Sequence, residues 1–295
     1  MDKLRMWFIA ILFLSGLGIT LYPFVSNLIA QSNASRAIAS YSDEVANMEQ
    51  EDIDATKEAM QKYNEQLNSA FVSSQNQEEG ISYLDMVDVG ESIGYITIPK
   101  IDVNLPIYNG TSSAVLERGV GHIDNTSYPI GGTSTHSVLT GHRGMPNAVL
   151  FTDLDELEIG DVFYLHVLDE VLAYKVDQVK IVEPDETEDL NIIEGMDYCT
   201  LVTCHPYAVN THRLLVRGVR TEYDPEEETQ QELAYVDVSS GTFVKRVVDA
   251  RAWIAVALFV MVIVETIIFV LILTARHKYR RRKFRMQQQE EQELE

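Results

Sequence analysis

Residues 200–204, Thr200-Leu201-Val202-Thr203-Cys204, alternate in the manner of a β-strand and end in a thiol. His205-Pro206-Tyr207 follows directly, stops such a strand and opens a loop, so the sulfur is expected at the rim of a sheet. Arg213 stands nine residues beyond the thiol, within Asn210-Thr211-His212-Arg213-Leu214-Leu215-Val216-Arg217-Gly218, which reads as a second strand. Far upstream, the apolar strand Ser137-Val138-Leu139 leads into Thr140-Gly141-His142-Arg143-Gly144, a histidine in a glycine-flanked turn. A thiol at a strand end, a distant imidazole and a guanidinium on the next strand are the parts of a nucleophilic acyl-transfer site.

Outward from this stretch the chain has the same texture from about Ile93 onward. Short alternating or β-branched runs mark strands at 94–98, 105–108, 137–141, 162–168, 171–182, 198–204 and 213–219, with Asp169-Glu170 as a tight hairpin turn. Short helices or turns fit Val115 to Gly119 and Ala148 to Leu157. Several short strands with Gly and Pro between them predict a mainly β domain, a closed or nearly closed barrel.

Thr200 to Cys204 matches the T-L-x-T-C signature of the sortases, the cysteine transpeptidases with which Gram-positive bacteria join surface proteins, and His142 and Arg213 fall at the family's histidine and arginine positions. The chain most resembles the pilin-polymerising class C enzymes. The residues behind that choice are 94–101 (GYITIPKI), 131–137 (GGTSTHS), 182–187 (VEPDET) and 210–218, and the resemblance covers roughly 85–222. It implies an eight-stranded sortase-type β-barrel, with Cys204 as nucleophile, His142 as acid–base group and Arg213 as stabiliser of the oxyanion or substrate. Two departures stand out. His205 follows the cysteine where class C members usually carry a small polar residue, and the Asp-Pro-aromatic lid tripeptide is missing. The matching region, about Leu67 to Leu84, offers Phe71 and Tyr83 but no Asp-Pro, so Cys204 is expected to be open or loosely covered.

Blander readings exist for each site residue. A free cysteine is most often buried in a core, and His142 competes with His122, His136, His166, His205, His212 and His277. Arg213 and Arg217 are four apart and share a strand face, so parity cannot choose between them; the family spacing picks Arg213. Cys199 and Cys204 are five apart on one strand and point to opposite faces, which argues against a disulfide and assigns Cys199 to the core. The histidines are scattered, so no metal set emerges, and no cofactor is implied.

The ends of the chain read as membrane segments. Residues 6–35 carry no charge and follow Lys3 and Arg5, a signal anchor or a cleaved signal peptide with small residues at Ser32-Asn33-Ala34. Residues 252–275 carry one charge, Glu265, and precede Arg276, Lys278, Arg280, Arg281, Arg282, Lys283 and Arg285, a basic tail that the positive-inside rule keeps in the cytoplasm. The chain thus divides into 1–30 (anchor or signal peptide), 31–84 (helical stalk and linker), 85–222 (catalytic domain), 223–250 (acidic linker, loop-like at 224–233), 251–275 (transmembrane helix) and 276–295 (cytoplasmic tail). Within 31–84, one helix is predicted over 35–70, its thin apolar stripe (Ile38, Tyr41, Val45, Met48, Ala55, Ala59) packed on the catalytic domain or standing as a stalk. Residues 31–250 hold 39 acidic and 13 basic side chains, net −26, which excludes nucleic acid as a partner.

The resemblance implies that Cys204 cleaves the Thr–Gly bond of an LPxTG-like sorting signal through a thioester, and that a pilin lysine amine resolves it to an isopeptide. The expected partners are LPxTG-bearing pilins or surface proteins, the acceptor lysine amine and the lipid bilayer. Two alternatives stay open: a wall-anchoring sortase using a peptidoglycan amine, and a non-catalytic membrane-tethered adhesin or assembly scaffold.

Overall fold

The computed structural model describes residues 3–72, 92–145 and 147–231, with scattered helical positions between 259 and 279. Eight strands form: β1 (Gly94–Ile98), β2 (Val103–Asn109), β3 (Val120–His122), β4 (Thr135–Thr140), β5 (Val162–Val167), β6 (Glu170–Val182), β7 (Asp197–His205) and β8 (His212–Thr221). They close into a barrel in the order β1-β2-β3-β4-β7-β8-β6-β5, and β5 pairs back onto β1. Closure leaves no sheet edge to template aggregation. The parallel pairs are β2–β3 and β4–β7.

The barrel confirms the predicted fold, with two local differences. Strand β3 has no counterpart in the sequence reading, because Val120-Gly121-His122 is too short to show alternation. The β5–β6 turn is Leu168-Asp169, one residue earlier than expected: Leu168 takes the left-handed conformation (φ 53°) and Glu170 already pairs with Val167. A Leu in that conformation is what hid the turn, since glycine and asparagine are its usual markers.

The predicted single helix is two, α1 (Lys3–Asn47) and α2 (Gln50–Val72), parted at Met48-Glu49. Their apolar stripe packs on the barrel rather than standing clear as a stalk. Tyr41, Ile53, Met60 and Tyr63 are buried in the main core with Ile96, Ile107, Phe163 and Leu201. The Tyr41 hydroxyl donates to Ile93 O at 3.2 Å and accepts from Leu168 N at 2.6 Å. Asn64 brackets Tyr128, its Oδ1 accepting from Tyr128 N at 2.7 Å and its Nδ2 donating to Tyr128 O at 3.3 Å. Lys57 pairs with Asp169 and Glu170 at the hairpin tip.

A second correction concerns 224–233. Residues 225–231 are helical, not a loop. Asp224 starts the turn, with Oδ1 accepting from Glu226 N at 2.8 Å and its carbonyl from Glu228 N at 3.1 Å, and Pro225 suits a first helical position. This places Glu228, 8% exposed, against the outside of β1 and β5, where it accepts from Thr97 (3.1 Å), His166 Nε2 (3.1 Å) and Tyr223 (2.7 Å). Burial favours its neutral acid, but the bonds from His166 and Tyr223 outweigh that and hold the carboxyl below its ordinary range.

The chain divides into a unit Phe24–Val238, which holds the barrel, and a second from Met1–Pro23 and Ser239–Glu295. In the second, the rings of Phe13 and Phe259 lie 6.3 Å apart. The N-terminal part of α1 exposes Trp7, Ile11, Leu14 and Ile19, and by length and composition the helix can cross a membrane. Most of 252–275, Glu265 included, lies outside the described residues, as does the lid region Leu67 to Leu84 beyond Val72, the last residue of α2.

His122, on β3, carries a prediction about acid stability. It is wholly buried, with Nε2 2.8 Å from Ser127 O and its ring stacked on Tyr128 at 5.4 Å. Burial lowers its pKa from 6.5 to about 4. Between those limits the unfolded chain binds a proton that the fold refuses, so stability is complete above pH 6.5 and falls as the pH drops towards 4, by roughly 3 kcal/mol. His122→Asn is expected to lower the urea midpoint at pH 7 but flatten its decline between pH 6.5 and 4. An unchanged slope would assign the acid sensitivity to other groups.

Candidate active site

The site is assembled by strand register. Strands β4 and β7 run parallel with Thr140 opposite Val202, and Gly141 N continues the ladder to Val202 O at 3.1 Å. Thr203 Oγ1 adds a bond to Gly141 O at 2.8 Å. His142 therefore leaves β4 at the level where β7 reaches Cys204. On the other side, β7 and β8 are antiparallel with Cys204 opposite Arg213. Three adjacent strands thus bring the predicted thiol, imidazole and guanidinium to one end of the barrel.

Each backbone has a local reason to stop there. A Cβ on Gly141 would sit 2.8 Å from the Phe151 ring, so only glycine lets β4 turn beneath that buried side chain. Phe151 N then donates to His142 O at 3.1 Å, closing the loop that follows the histidine. Cys204 is partly buried, whereas Cys199 is fully buried and its thiol is pushed well above the ordinary value, chiefly by burial. The face carrying Cys204 has an apolar floor of Val138, Val182, Val202 and Leu215, while Cys199 and Leu201 join the main core.

Register also separates the two arginines that parity could not. Arg217 lies opposite Thr200, four residues inward from Arg213, and is committed elsewhere. Its Nε and Nη2 grip Asp177 at 3.0 and 2.8 Å and its guanidinium stacks over Tyr198 at 4.2 Å. Arg213 lies opposite Cys204 and its Nη1 donates to His212 O at 3.0 Å and Asn210 O at 3.4 Å.

The competing histidines have other occupations. His136 bridges Thr200 (2.7 Å) and Asn191 O (2.9 Å), and burial lowers its pKa. His166 meets Glu228, and His212 meets Glu183 at 3.2 Å. His205 does lie beside the site, its Nδ1 3.1 Å from Arg143 Nη1. In the sequence Arg143 is only a member of the turn around His142, and no local pattern links it to a residue 62 positions away. Among the described residues, no three His, Cys, Asp or Glu side chains converge as metal ligands.

The Sortase domain model matches residues 96–221, from β1 to the end of β8. A sortase C-1 from Streptococcus pneumoniae is 46% identical and superposes with a TM-score of 0.58, covering 64% of this chain and 100% of that one. The chain belongs to the sortase family. A pilus-related sortase C of Group B Streptococcus is 44% identical (TM-score 0.57; 62% of this chain, 96% of that one). A Clostridium perfringens sortase C, solved with the C-terminal cell wall sorting motif, is 46% identical (TM-score 0.58; 64% of this chain, 100% of that one). These sortases cover more of the chain than the domain model does, so the likeness extends beyond the barrel. Sortase D of Bacillus subtilis is 34% identical over 121 residues, 41% of this chain and 58% of that protein, so the chain spans little more than half of that curated relative.

Proposed function

We propose that the chain is a membrane-anchored cysteine transpeptidase of the pilin-polymerising type. The observation that carries this reading is the common level of Cys204, His142 and Arg213 at the ends of three neighbouring strands. The Cys204 thiolate, paired with the His142 imidazolium, attacks the Thr–Gly carbonyl of an LPxTG-like signal, and the oxyanion is met by the Arg213 guanidinium. His142 gives its proton to the leaving amine and the carbonyl re-forms as a thioester. A pilin lysine amine then attacks, loses a proton to His142 and expels the thiolate as the isopeptide forms. The apolar N-terminal helix and the second apolar segment hold the catalytic domain outside the membrane, with the basic tail inside.

Supporting this reading over wall anchoring is the likeness to class C sortases at 44–46% identity over nearly their whole length. The full-length protein is to be co-expressed with an LPxTG-bearing pilin. An SDS-resistant ladder with lysine isopeptides in its mass spectrum is expected. A single product bearing a peptidoglycan amine would establish wall anchoring instead, and intact pilin alone would overturn the enzymatic reading.

A further inference from the structure

Resting on the transpeptidase reading above, we propose that Arg143 is a positioning residue that sets the spacing of Cys204 and His142 by bonding, through His205, the neighbour of the nucleophile. Arg143 follows His142 directly and His205 follows Cys204 directly. Among the described residues, the β4–β7 connection inside the site ends at the Thr203–Gly141 bond, one residue short of the pair. The next connection outward is Arg143 Nη1 to His205 Nδ1 at 3.1 Å, one residue beyond it. The reacting pair is therefore bracketed on both sides, by 203–141 within and 143–205 without.

The outer bracket is built to be stiff. The Arg143 side chain is 5% exposed, and its Nη2 is ion-paired to Asp155 on the turn Leu154–Glu156. A buried guanidinium is costly where its donors go unmet, and Arg143 Nε is already without a partner, so the bonds from Nη1 and Nη2 are the two that hold the side chain in place. Arginine can only donate, so Nδ1 of His205 must be the bare nitrogen, which fixes a neutral ring with its proton on Nε2. Tyr207 lies 6.0 Å from the guanidinium, and its ring edge would stand 2.8 Å from a Cβ at Gly144 (φ +78°), so the two loops touch with no room for a side chain between them. The fork geometry, one nitrogen to His205 and the other to Asp155, is what a lysine cannot reproduce.

The test uses the full-length protein in detergent micelles and two readouts. One is the pH profile of Cys204 alkylation by iodoacetamide, followed by mass spectrometry, which needs no sorting substrate. The other is kcat and KM on an LPxTG peptide. Arg143→Lys keeps the charge and His205→Ala removes none, so an effect shared by both reports position rather than field. Each is expected to move the alkylation midpoint to higher pH and to lower kcat roughly 10- to 100-fold, with KM within about twofold. Thermal melting confirms that each is folded at the assay temperature; His205→Ala, at a partly buried position, is the milder change. Wild-type profiles and kcat in either folded variant would overturn the proposal. A wild-type protein inert towards LPxTG peptides, with alkylation still sensitive to Arg143→Lys, would overturn the transpeptidase reading while upholding the bracket.

Discussion

Cys204→Ala is expected to abolish both cleavage of a sorting-signal peptide and its transfer to an amine, while Cys199→Val leaves turnover close to wild type. The two thiols share one strand and nothing else. Cys204 stands at the end of β7, opposite Arg213 and level with His142. Cys199 is fully buried in the main core, where burial keeps its thiol protonated and therefore unreactive. Exchanging it for valine conserves volume to within a methyl group and should cost less than about 1.5 kcal/mol. The check is peptide turnover with circular dichroism of each variant. Comparable loss from both, with the fold intact, would remove Cys204 from the role given to it.

The second large effect is expected at the arginines, with opposite signatures. Arg213→Lys retains a cation at the strand end but loses the planar fork, so kcat should fall steeply while KM changes little, as for a contact made mainly in the transition state. His142→Ala should be at least as severe. Arg217→Lys should instead leave kcat nearly intact and lower stability by about 1–2 kcal/mol, because its bidentate bond to Asp177 and its stacking on Tyr198 belong to the fold. Steady-state kinetics beside urea melts separates the two. The reverse pattern would hand the oxyanion role to Arg217.

These arginines also mark how far the chain could be read before folding. Alternation at 94–98, 162–168 and 198–204 was visible because each strand is long enough to repeat its period. Val120-Gly121-His122 was not, since three residues fit any template, although its imidazole is among the most buried groups in the barrel. The acidic run after Asp224 looked like a solvated loop on composition, and Glu228 only becomes intelligible once Thr97, His166 and Tyr223 surround it. Asp-Pro followed by three glutamates was the helix-start signal that composition obscured. Period and motif thus located the strand ends. Strand parity alone could not choose between two arginines on one face; the family spacing picked Arg213, and the register between β7 and β8 supplies the physical reason by setting it opposite Cys204.

The packing of α1 and α2 on the barrel changes what counts as a portable piece of this protein. Tyr41, Ile53, Met60 and Tyr63 each remove a large side chain from water, worth about 1.5–3 kcal/mol apiece. Together they amount to a sum comparable with the whole margin that holds an ordinary domain folded. The inheritable signature and the self-supporting body are therefore different lengths of the same polypeptide: lineage is legible from 96 to 221, yet a graft cut at those borders would carry the chemistry into its new host with the wall behind it missing.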